Sequence, residues 1–160
     1  MSFVRYLMLL SLVVWVGGLI FFAFVLAPTV FHPGMLPSRQ LAVNVVNRSL
    51  GILHWMAISC GVIFAVTSMI DSRVVNGVAE PFALRNLIVY AMLILTLVGM
   101  FGIASRMLVL RQQMGIIDDV PHDNPLRVEF NRLHHWSTRI ESTVLVLGLG
   151  LLFLVSRRLS

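Results

Sequence analysis

The sequence predicts an all-α protein, a four-helix transmembrane bundle of up-down-up-down topology forming one domain over residues 1–160. Three observations predict it. Hydrophobic residues make up 58% of the chain and charged residues only 12%, a balance far from that of soluble globular domains. Four apolar runs of about twenty residues each are long enough, at 1.5 Å rise per residue, to cross a hydrocarbon core of about 30 Å. The segments between them carry the turn-forming and charged residues.

The charge that remains is unusual in kind. All 12 basic residues are arginine and the formal net charge is +5, so the positive groups stay protonated and suit bidentate contact with phosphate or carboxylate. They are dispersed among apolar runs rather than clustered, which argues against nucleic acid and for the lipid bilayer as partner. The single cysteine, Cys60, lies inside an apolar run. No intrachain disulfide and no cysteine-based metal motif can form.

The first span is predicted over 7–26, with Ser11 its only hydroxyl. Its apolar run is too long for a cleaved signal peptide and continues toward Pro28 and Phe31, so it is expected to be retained. Trp15, Gly17 and Gly18 fall in its middle. Tryptophan prefers the interface, so a central indole is read as a packing anchor, and the two glycines are read as points where a neighbouring helix approaches.

Pro33, Gly34 and Pro37 break the chain, and Ser38 is placed to cap the next helix. That helix is expected to enter the membrane directly as the second span, 50–70, with His54 near its start and Trp55 marking the interface. A polar loop over 71–85, punctuated by Asn76-Gly77 and Glu80-Pro81, leads to the third span at 87–106. Residues 107–123 extend that helix to about Gly115 and then form a loop with Asp118, Asp119 and Pro121. Asn124-Pro125 reads as an N-cap with proline in the first turn. The last helix therefore starts outside the bilayer, and its span is expected at 136–155.

Alternation puts His32, His54, His122, His134 and His135 on one membrane side, where the helices extend beyond the bilayer. The most polar stretch near the membrane is 130–142, and counting back from Val155 puts Arg139 and Glu141 within the hydrocarbon. A charge at the bilayer centre costs about 2.5–3.5 kcal/mol. Arginine can snorkel to the headgroups; glutamate reaches less far. Glu141 shares a helix face with His134 and Ser137, and the expectation is that it points inward and pairs with Arg106 of the third helix.

Three roles are compatible with this polar network of Arg106, His134, Ser137, Arg139 and Glu141. It can fix helix register in a structural or accessory protein. It can supply histidine ligands, His54 with His134 or His135, to a haem or transition metal. It can line a path for a proton, ion or small solute, although broken helices and repeated halves are absent. A homo-oligomer or a larger membrane complex would supply the volume that four spans lack. Counting arginines on either side leaves orientation unassigned.

The first span, Ser11-Leu-Val-Val-Trp15-Val-Gly17-Gly18-Leu-Ile-Phe21-Phe22-Ala-Phe24 followed by Ala27-Pro28 and Phe31, resembles that of the transmembrane-protein-205-like family, whose bacterial members form a domain of unknown function. Phe130-x-Arg132-x-His134-x-x-Ser137 resembles that family's signature before its final span. The likeness covers nearly the whole chain in span order. It implies a four-span integral membrane protein, expected in a bacterial inner membrane, with no established activity. It also implies asparagine where Glu141 stands. More remotely the bundle is similar to the copper-resistance-protein-D and membrane protoporphyrinogen-oxidase groups, which adds weight to the haem or metal reading by analogy of fold.

Overall fold

A computed structural model describes residues 2–116 and 119–157. Its elements are α1 (Ser2–Phe21), a π-helical turn (Phe22–Leu26), α2 (Ala27–Val30), α3 (Arg39–Asn76), α4 (Leu84–Leu97), a second π-helical segment (Val98–Ala104), α5 (Ser105–Met114) and α6 (Pro125–Ser156). Because the π segments continue the helices around them, the chain makes four rods, Phe3–Val30, Arg39–Asn76, Leu84–Met114 and Pro125–Ser156, each long and apolar enough to span a membrane. Asp118, expected in a loop, lies outside the described residues.

The breaks in the chain are local chemistry. Pro28 has no N–H to offer Phe24 and its ring crowds that carbonyl. The turn before it widens, and Ala27 N–H bonds Phe22 O across five residues. Ser38 Oγ accepts from Leu41 N–H at 3.3 Å and Asn124 Oδ1 from Leu126 N–H at 2.9 Å, so both predicted N-caps form. Gly77 and Gly115 follow the ends of α3 and α5 with φ of 74° and 69°, positive values that favour glycine, and Gly77 adopts the left-handed conformation in which helices commonly terminate. The loop predicted over 71–85 is shorter than expected, since α3 runs on to Asn76 and α4 begins at Leu84.

Each rod packs on its chain neighbours, and α6 closes the ring against α1. Leu12, Trp15, Phe64, Met92, Val144 and Leu151 fill the centre, none more than 1% exposed. The outer face is equally apolar: Phe24 is 70% exposed and Val146 67%. Such a surface is untenable in water and is what a bilayer solvates.

Glycines set the closest helix approaches. A Cβ on Gly18 would lie 2.6 Å from Met56 Cε, one on Gly61 2.9 Å from the Trp15 ring, and one on Gly148 2.6 Å from Val16 Cγ2. Trp15 is thus the packing anchor expected of it. Gly17 is not a contact point: it is exposed, and a Cβ there would meet nothing within 4 Å. The reason is rotation, since successive helical residues point about 100° apart and only one of an adjacent pair can face α3.

These contacts define a central layer, Trp15 and Val16 with Gly61, Met92 and Leu93, and Gly148. The predicted third span, 87–106, has its midpoint between residues 96 and 97, about four residues beyond that layer. The third rod is therefore shifted along its axis by about 6 Å relative to expectation and the fourth by about 4 Å in the same sense, which puts Arg106 about 20 Å and Glu141 about 10 Å from the layer. Helix extension on the histidine side is as predicted: α3 begins at Arg39 and α6 at Pro125. There Arg111 Nη2 of α5 donates to Asn44 Oδ1 of α3 at 2.6 Å.

Candidate functional site

Toward the histidine side of the central layer the described residues include a partly buried ionisable pair. His54, seven residues before Gly61 on α3, is 3% exposed. Glu141, seven residues before Gly148 on α6, reaches it from the diagonally opposite corner. Equal spacing puts both about 10 Å from the central layer, and His54 Nε2–H donates to Glu141 Oε1 at 2.6 Å. The third wall is the π segment, where a Cβ on Gly99 would lie 3.7 Å from Ile140 and 4.0 Å from Glu141 Oε1. A glycine here leaves the carboxylate room, and π-helical turns recur where a helix must be re-aimed around a site.

Arg106 does not pair with Glu141. About 20 Å from the central layer, it bonds Glu129 instead, Nε to Oε1 at 3.0 Å, with the arginine side chain 53% and the glutamate 30% exposed. An exposed pair of this kind contributes little. Arg106→Gln is expected to lower stability by no more than about 1 kcal/mol, read by thermal unfolding in detergent. A larger loss would show that Arg106 acts on the buried pair.

The other predicted residues scatter. Ser137 is half-buried, while His134, His135 and Arg139 are exposed. The rings of His134 and His135 are 6.4 Å apart and tilted, and the Arg139 guanidinium lies over the Trp136 ring at 5.6 Å. Among the described residues no three His, Cys, Asp or Glu side chains converge. The structure does not bring His54 together with His134 or His135. The imidazole that faces inward is engaged by Glu141, and the other two face outward.

A second polar cluster, at the opposite end, was not foreseen. Arg85 is 7% exposed and its Nη2 donates to Ser68 O at 3.1 Å and to Ser72 Oγ. Arg5 Nε bonds Asp71 Oδ1 at 2.9 Å beside it. Asn86, fully buried, gives its Nδ2–H to Glu80 O at 2.8 Å. The signal lay in Ser68, Asp71 and Ser72, whose spacings of three and four bring polar groups to one side of α3. Pro81 so close before Arg85 made that arginine look like a loop charge.

Between these clusters lies the closed apolar centre. Such a molecule is a small multi-pass membrane protein, a four-helix bundle cross-tied near both membrane faces. More particularly, the chain belongs to the family described as Domain of unknown function (DUF4149), which matches residues 10–115. That stretch includes His54, Gly99 and Arg85, whereas Glu141 lies beyond it. No curated protein and no solved structure matches the chain.

Proposed function

We propose that this protein is an accessory membrane bundle, akin to the transmembrane-protein-205-like group and resident in a bacterial inner membrane, whose buried polar groups hold helix register. The carrying observation is that buried and half-buried ionisable groups at both ends of the bundle tie one helix to another: His54 to Glu141 and Arg5 to Asp71, with Arg85 bonding Ser68 and Ser72 of α3. The layer between them, with Leu12, Trp15 and Met92 at most 1% exposed, favours a sealed bundle over a conduit. A proton or solute crossing one chain would have to open that packing.

The test combines absorbance spectra of the purified oxidised and reduced protein, elemental analysis, and proton flux in proteoliposomes. A colourless, metal-free, flux-silent protein from a cofactor-replete host is the expected result. A Soret band or a stoichiometric metal lost in His54→Ala would replace this reading with cofactor binding. A flux abolished by Glu141→Gln would replace it with transport.

A further inference from the structure

The outward side of α6 at the histidine end carries Arg132, His135, Trp136 and Arg139, which together line an open groove of about 460 Å³. Their spacing of three, four and seven residues puts them on one helix face. No carboxylate lines this groove, and the described ion pairs engage none of the four side chains. All four are exposed. Stacking of Arg139 on Trp136 steadies the guanidinium through the ring face while leaving its N–H groups to donate outward.

Depth decides what this face meets. Arg139 is nine residues and Arg132 sixteen residues from Gly148, so the groove runs from about 13 Å to about 24 Å from the central layer. It straddles the edge of a hydrocarbon core whose half-thickness is about 15 Å. Phosphate groups of the leaflet occupy that zone. A helix face with two guanidinium forks, an imidazole and an indole, and no acid, is complementary to a phosphate diester standing above acyl chains.

We propose that this groove is a binding site for an anionic phospholipid of the leaflet on the histidine side. Arg132 and Arg139 bracket the phosphate oxygens, His135 donates from the side, and Trp136 lies against the glycerol and the top of an acyl chain. The site is independent of the His54–Glu141 pair, since Glu141 points from the same helix into the bundle.

Native mass spectrometry of the detergent-purified protein, titrated with phosphatidylglycerol or with phosphatidylcholine, tests the proposal. Retention of phosphatidylglycerol should be about tenfold to thirtyfold stronger, the preference two arginines give at an anionic surface. Arg132→Gln/Arg139→Gln should abolish the preference with an unchanged melting curve, whereas Arg157→Gln, at the far end of α6, should keep it. Brominated-chain phosphatidylglycerol should quench the unaltered protein more than the brominated phosphatidylcholine, the excess vanishing in Trp136→Phe. Inorganic phosphate should not compete at lipid concentrations. Equal retention of both lipids, a preference surviving the double substitution, displacement by free phosphate, or binding only of an acidic protein at this face would each overturn it.

Discussion

His54→Leu is expected to destabilise the bundle by about 2–3 kcal/mol, the cost of leaving a partly buried polar group without its partner. Glu141 would then hold a carboxylate about 5 Å inside the hydrocarbon edge with its described ion-pair partner gone. Glu141→Leu should cost less, about 1–2 kcal/mol, because the imidazole left behind can be neutral. The double variant His54→Leu/Glu141→Leu should recover most of the loss, since an apolar replacement of both partners removes the desolvation penalty along with the bond. A double-mutant cycle on thermal unfolding in detergent reads all three. Purely additive losses, or Glu141→Leu costing more than His54→Leu, would show that the pair is not the clamp its 2.6 Å contact describes.

The features that this sequence made legible are those written in local chemistry. Twenty apolar residues suffice to span a bilayer wherever they occur, and Ser38, Asn124-Pro125 and Gly115 mark helix ends through bonds formed within a few residues. The partner of Glu141 was of a different kind. An apolar run has soft ends, so hydropathy fixes that a helix crosses but not its height. Arg106 lies about 10 Å farther from the central layer than Glu141, whereas His54 stands level with Glu141 and bonds it. The sequence shows the residue type and depth of His54, which suit a metal ligand, and not what stands opposite.

Rotation was the second hidden coordinate. Gly17 and Gly18 are indistinguishable in sequence, and Arg139 and Glu141 are both charges at nearly one depth. In each case the azimuth divides them: Gly18 faces α3 and Gly17 faces outward, while Glu141 turns inward and Arg139 lies on the outer face over Trp136. An apolar helix in lipid carries little hydrophobic asymmetry with which to announce its inner face, because lipid and core are equally apolar. Small residues and buried polar groups carry that information instead, and their meaning depends on the opposing helix.

That dependence makes Gly148 the position where one carbon should matter most. Adding a Cβ there brings it within 2.6 Å of Val16 Cγ2 and 3.2 Å of Met92 Cε, so α1 and α4 are crowded at once. Methionine can fold its tip away, but the β-branched Val16 has one strongly preferred rotamer in a helix and cannot. Gly148→Ala is therefore expected to destabilise by about 1–3 kcal/mol, despite the helix propensity alanine gains over glycine, about 1 kcal/mol. Val16→Ala in the same chain should return part of the loss by removing the clashing methyls, although it costs packing elsewhere. Gly150→Ala, two residues on and with nothing within 4 Å of its Cβ, is the matched control and should be neutral or slightly stabilising. The comparison is made on thermal unfolding in detergent. A Gly148→Ala variant as stable as Gly150→Ala would mean that α6 does not lie this close to α1, and the depth scale that places both the buried pair and the outer groove would have to be redrawn.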